Sequence, residues 1–101
     1  MECSAFAKIS ALRAVYREFF AAAESDRKRL INAFFWIADE LEDQLQAEGN
    51  LGDRSFAAFQ EVKDFADTAF MDPAQWAGRD DFDPVVERLV KRITDAEDRA
   101  W

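Results

Sequence analysis

Residues that interrupt helices are rare in this sequence and fall in a few places. The 101 residues include three glycines and two prolines, confined to positions 49–52, 73–78 and 84. Between these breaks apolar side chains recur about every 3.6 residues, and no segment alternates polar and apolar residues as a strand does. The pattern predicts an all-α fold: a single-domain antiparallel bundle over residues 1–101, with four main helices and one short helical turn near residues 73–77.

Each main helix is predicted from its own apolar stripe. The helices are expected over residues 3–23, 25–48, 53–71 and 83–100. The stripes consist of Phe6, Ile9, Leu12, Val15, Tyr16, Phe19 and Phe20 in the first helix, Leu30, Phe34, Ile37, Leu41 and Leu45 in the second, Phe59, Val62, Ala66, Ala69 and Phe70 in the third, and Val86, Leu89, Val90, Ile93 and Ala96 in the last. With 50% apolar residues, a chain of this length can bury one core without a metal or a disulfide.

Short polar residues mark the predicted helix starts. Ser25 is expected to cap the second helix. Asp72-Pro73 and Asp83-Pro84 each place a capping aspartate before a proline at the first helical position, where proline is favoured. Gly49 is expected to end the second helix in the left-handed conformation.

Residue types that build many catalytic and metal sites are scarce. The chain has no histidine and a single cysteine, Cys3, which excludes a structural zinc site, an intrachain disulfide and the commonest general base. We therefore expect no cofactor and no metal, and any active site would have to use carboxylates, lysine or tyrosine. The lone cysteine, the lack of a signal-peptide pattern and the lack of a long apolar run indicate a cytoplasmic protein without a membrane partner.

The negative charge is concentrated in the middle of the chain. Residues 39–83 hold thirteen acids and three bases, a net charge of −10, whereas the flanks hold eight acids and ten bases, a net charge of +2. The overall charge of −8 therefore belongs to the central segment. A field of one sign repels nucleic acids and membrane surfaces and attracts basic partners.

Trp36 lies outside the apolar stripe of its predicted helix, about 120° or more around the axis. Its neighbours one turn away include Asp39 and Glu40. Large aromatic residues on polar helix faces often anchor protein interfaces. The alternative is that Trp36 packs under the first or last helix, because Ile31 and Phe35 widen the apolar surface of the second.

Acidic residues on two consecutive helices form the main candidate site. Rows of carboxylates on a rigid helix imitate the closely spaced charges of a nucleic-acid backbone. We interpret the chain as a non-catalytic inhibitor that binds a basic, nucleic-acid-binding protein and no nucleic acid itself, a DNA mimic that resembles anti-CRISPR proteins in size and charge. The alternative is that the acids only keep a phenylalanine-rich protein soluble. The predicted partner-binding residues are Trp36, Asp39, Glu40, Asp43, Asp64, Asp67, Asp80 and Asp81.

Two further functions fit the sequence. A homodimer or a subunit adaptor is one, because the aromatic residues exceed what one small core needs.

The other is an enzyme, and it is suggested by Glu40-x-x-Asp43 and Glu61-x-x-Asp64, two pairs of carboxylates that each share a helix face. Their spacing resembles the Glu-x-x-Glu and Glu-x-x-Asp pattern of MazG-type all-α nucleoside triphosphate pyrophosphohydrolases. That resemblance implies a Mg²⁺-dependent hydrolase with these carboxylates at the metal.

Overall fold

The described part of the chain is helical. The computed structural model describes residues 5–47, 49, 52–79 and 81–99, with the backbone alone at Asp53 and residues 95–99. The helices are α1 (Ala5–Ala21), α2 (Glu24–Ala47), α3 (Asp53–Met71), α4 (Pro73–Trp76) and α5 (Phe82–Arg99). These residues contain no strand, so the predicted all-α fold of four main helices and one short helix is confirmed.

The helices form two hairpins packed together. α1 packs mainly on α2 and α3 mainly on α5, with lesser contacts between α1 and α5 and between α2 and α3. The two-residue connection between α1 and α2 makes that pair antiparallel. Phe65 lies beside Phe82, and Glu61, one turn earlier, pairs with Arg88 further along α5, so this pair is antiparallel too. Within the described residues no helix is long and apolar enough to cross a membrane.

Aromatic rings from all four main helices meet at the centre of the core. Phe19 of α1 and Phe34 of α2 lie 4.4 and 5.3 Å from Phe70 of α3, measured between ring centroids. Tyr16 of α1 stacks on Phe82 of α5 at 4.0 Å. Since aromatic pairs contribute about 0.5–1.5 kcal/mol beyond the area they bury, this cluster holds the two hairpins together.

Three predicted helix boundaries are wrong, each for a physical reason. α1 ends at Ala21 rather than at residue 23, because the chain must reverse before α2. α2 begins at Glu24, so Ser25 is helical and does not cap; the carboxylates of Glu24 and Asp26 lie in the first turn, where the helix dipole favours anions. α5 begins at Phe82, which buries this ring in the core and places Asp83 inside the first turn.

The two glycines with positive φ lie where the chain leaves a helix. Gly49 has a φ of 73°, as predicted for the end of the second helix, and Gly78 has a φ of 78° just after α4. L-residues with a side chain rarely adopt this conformation, so glycine suits both positions. Asp72 precedes Pro73 at the start of α4, as predicted, although its side chain makes no capping hydrogen bond.

Burial changes the acidity of Tyr16, the only tyrosine of the chain. Its side chain is buried against Phe82, and burial disfavours the charged phenolate. The negative charge of Asp81 acts in the same direction and the positive charge of Arg79 opposes it. The net effect raises the pKa of Tyr16 from 10.0 to about 12.

We expect ultraviolet difference absorbance to show phenolate forming near pH 12 in the folded protein and near pH 10.0 in the unfolded chain. Because the folded-state pKa is the higher one, the contribution of Tyr16 to stability is fully present below pH 10.0 and is lost as the pH rises through 12. Tyr16→Phe keeps the ring contacts and should abolish this part of the pH dependence. A folded-state midpoint near that of free tyrosine would contradict the burial of the hydroxyl group.

Candidate protein-binding surface

Trp36 lies on the side of α2 that faces away from the core. It is two residues from Phe34 and from Ala38, both fully buried, and two residues correspond to about 160° around a helix. The Trp36 side chain is 64% exposed. The interpretation that Trp36 packs under the first or last helix is therefore wrong, and its indole is accessible to a partner.

Three of the predicted carboxylates share this face. Asp39, Glu40 and Asp43 lie within about 60° of Trp36 around the axis, and all three are exposed. Within the described part of the chain none of them forms an ion pair. We call these four residues the outer face of α2: one large aromatic side chain followed, within two turns of the helix, by three carboxylates that pair with no described cation.

The other predicted site residues lie elsewhere. Asp64 and Asp67 are exposed on α3, opposite its buried stripe, and neither pairs with a described cation. Asp81 lies just before α5 and forms an ion pair with Arg79 at 2.5 Å, which neutralises it. Asp80 lies outside the described residues. The structure thus brings together Trp36 and the α2 acids, and it places the remaining acids on α3 and in the segment before α5.

Arginines of α1 and α5 neutralise other acids of the central segment, which sequence analysis did not foresee. Asp83 forms ion pairs with Arg13 at 3.2 Å and with Arg17 at 2.9 Å. Arg88 of α5 pairs with Glu61 of α3. Therefore the basic flanks of the chain offset charge near the start of α5 and on α3, whereas none of their described side chains pairs with the outer face of α2.

The acids of α2 destabilise the helix that carries them. Asp39 and Asp43 are four residues apart, and like charges at this spacing cost a few tenths of a kcal/mol. The last turn of α2 contains no basic residue that could offset this repulsion. Residues that lower the stability of the element that carries them are most often found at functional surfaces.

A groove between α3 and α4 is a second surface that combines aromatic and acidic groups. It has a volume of about 550 Å³, and Phe65 and Trp76 form its aromatic wall with ring centroids 5.0 Å apart. Glu61 and Asp64 supply its carboxylates. The groove could not be predicted from the sequence. Its one sequence signal is Trp76, and the position of the short helix α4 that carries Trp76 depends on tertiary packing.

The carboxylate pairs that resemble a pyrophosphohydrolase pattern lie in different surroundings. Glu40 and Asp43 are on the outer face of α2, whereas Glu61 is bound by Arg88. Among the residues whose side chains are described, no three His, Cys, Asp or Glu side chains form a group that could hold a metal ion. The Mg²⁺-dependent hydrolase stays a prediction.

Exposed apolar side chains other than Trp36 bear on the homodimer alternative. Phe6, Phe56 and Met71 are 38%, 42% and 80% exposed. Phe56 and Met71 lie near opposite ends of α3, about 22 Å apart along its axis, so these two residues do not form one patch. The homodimer also stays a prediction.

The outer face of α2 and the groove between α3 and α4 are thus the two candidate sites. Both combine an aromatic side chain with at least one carboxylate that forms no ion pair with a described residue. In comparisons with known proteins, this chain matches no protein family, no curated protein and no solved structure.

Proposed function

We propose that this protein is a non-catalytic inhibitor that binds a basic partner protein through the outer face of α2. In this proposal Trp36 inserts between partner side chains, while Asp39 and Asp43 pair with lysine and arginine. The partner is a nucleic-acid-binding protein, and the inhibitor occupies the surface that its nucleic acid would use. We place this function in the cytoplasm, which a chain with one cysteine suits.

The observation that carries the proposal is the 64% exposure of Trp36 beside three carboxylates that pair with no described cation. Tryptophan is enriched among the residues that dominate binding energy, and its burial removes about 150–250 Å² of surface from water. Trp36 lies about 160° from the core stripe, so the fold of the monomer gains little from it. If a partner covers the indole, Trp36 contributes to the binding energy of the complex.

The spacing of the α2 acids supports a partner that normally binds nucleic acid. Asp39 and Asp43 are four residues apart, which is about 6 Å of helix axis. With Glu40 between them, the three carboxylates lie on average about 3 Å apart along the axis, close to the about 3.4 Å between charges along one strand of DNA. A groove lined with lysine and arginine therefore meets a similar charge density on α2.

The charge of the whole central segment supports fast association. Residues 39–83 carry a net charge of −10, which arginines of α1 and α5 partly offset, and the exposed Asp64 and Asp67 pair with no described cation. Such a field steers a basic partner into contact, and it is screened beyond about 10 Å at 0.1 M salt. Binding should therefore be strong at low ionic strength and should weaken steadily as salt is added.

The test uses the heparin-binding proteins of the native host, a fraction enriched in basic, nucleic-acid-binding proteins. Proteins captured from it on the immobilised chain are purified and titrated at about 0.05 and 0.3 M salt. We expect affinity to fall at least tenfold between these conditions, since several ion pairs are screened. We also expect the partner's own DNA or RNA to compete for the same surface.

Two results would refute the proposal. One is an affinity that does not change with salt, which would mean that the carboxylates do not face the partner. The other is a ternary complex in which partner, nucleic acid and this protein bind together without competition. Asp43→Asn, which removes a carboxylate from the outer face of α2, should weaken binding more than Asp67→Asn, which removes one exposed charge from α3 and leaves that face intact.

A further inference from the structure

We infer that the groove between α3 and α4 binds an arginine side chain of a basic protein, with the carboxylate of Asp64 holding the guanidinium group. This site uses none of the residues on the outer face of α2. It is therefore a second point of contact with a basic protein, and it is tested independently of the proposed function.

The walls of the groove suit a long cationic side chain. Phe65 and Trp76 present aromatic surface, and Ala57 adds an apolar side chain to the lining. Arginine covers apolar surface with its methylene groups while its charged end reaches a polar partner. The groove, at about 550 Å³, is large enough for such a side chain and open to a protein that approaches from solvent.

The protein's own arginines already show this chemistry at the groove. The guanidinium carbon of Arg79 lies 4.4 Å from the centroid of the Trp76 ring, a cation–π contact. Arg88 binds the carboxylate of Glu61. Two groups that line the groove therefore interact with guanidinium groups from within the same chain.

Asp64 is the carboxylate of the groove that lacks such a partner. It forms no ion pair with any described residue. The hydroxyl of Thr68 donates its hydrogen bond to the backbone carbonyl oxygen of Asp64, at 3.0 Å, and not to the carboxylate. A planar guanidinium group matches a carboxylate with two parallel hydrogen bonds, so arginine is the side chain that fits here.

The experiment uses Trp76 as a fluorescent reporter. The full chain with Trp36→Phe and Trp101→Phe keeps Trp76 as its one tryptophan. It is titrated with the blocked peptide acetyl-Gly-Arg-Gly-Arg-Gly-amide, and with the same peptide carrying uncharged citrulline in place of arginine. We expect a saturable change in Trp76 fluorescence with a Kd on the order of 1 mM, and at least fivefold weaker binding of the citrulline peptide.

Two matched variants separate the groove from general charge attraction. Asp64→Asn should weaken binding of the arginine peptide about fivefold. Asp67→Asn, which removes an exposed carboxylate that does not line the groove, should change binding less than twofold. Equal losses in the two variants, equal binding of the two peptides, or no change in Trp76 fluorescence would each overturn the inference. Because Trp76 is the one tryptophan of the reporter, peptide bound to the carboxylates of the outer face of α2 does not contact the fluorescent group.

Discussion

Phe34→Ala is expected to remove a large part of the stability of this protein. The Phe34 side chain is fully buried, with its ring 5.3 Å from Phe70 and 6.1 Å from Phe82, so it joins α2 to both helices of the second hairpin. Truncating a buried phenylalanine to alanine costs about 3–5 kcal/mol, because apolar contacts are lost and a cavity remains. A domain of this size has a total stability of about 5–15 kcal/mol, so most of it can be lost in one step.

Urea denaturation and thermal melting followed by circular dichroism would measure this loss. The melting temperature should fall by about 15 °C or more, given about 4–8 °C per kcal/mol for a domain of this size. The matched control is Phe56→Ala, the same change at a residue that is 42% exposed on α3, where we expect less than about 1 kcal/mol. Equal effects of the two substitutions would contradict the central aromatic cluster.

The buried stripe of α3 could be predicted because its signal is local. Phe59, Val62 and Ala66 are apolar residues spaced three or four positions apart, as on one face of a helix, and all three are buried. The stripe of α2 was predicted less well: Ile37 is half-buried, while Ala38 is fully buried. Alanine has a weak hydrophobic signal, yet its small side chain suits the inner side of a helix that packs closely on neighbours.

Part of the candidate surface could also be predicted from the sequence, and part of it could not. The outer face of α2 follows from the phase of one helix, so Trp36 and Asp43 could be placed together from the sequence. The ion pair of Arg13 with Asp83 and that of Arg88 with Glu61 join residues 70 and 27 positions apart, so they depend on how the helices pack. The sequence therefore could not show which acids of residues 39–83 pair with arginines, because the packing of the helices determines those pairs.

Replacing Trp36 by alanine is expected to weaken binding of the basic partner by about 30-fold, which corresponds to about 2 kcal/mol. The loss should come mainly from faster dissociation, because the indole contributes contact area rather than charge. The salt dependence should be unchanged, since Asp39, Glu40 and Asp43 remain. Stability should change little, because the side chain is 64% exposed and alanine has the higher helix propensity.

Surface plasmon resonance with the captured partner, at two salt concentrations, measures both rates. Phe56→Ala serves again as the control, since it removes another exposed aromatic ring from a different helix and should bind within about twofold of the unmodified chain. If Trp36→Ala binds as tightly as the unmodified chain, the outer face of α2 is not the interface, even where binding remains sensitive to salt. If Trp36→Ala instead lowers stability by more than about 1 kcal/mol, the indole contributes to the core and the assignment of this face to solvent is wrong.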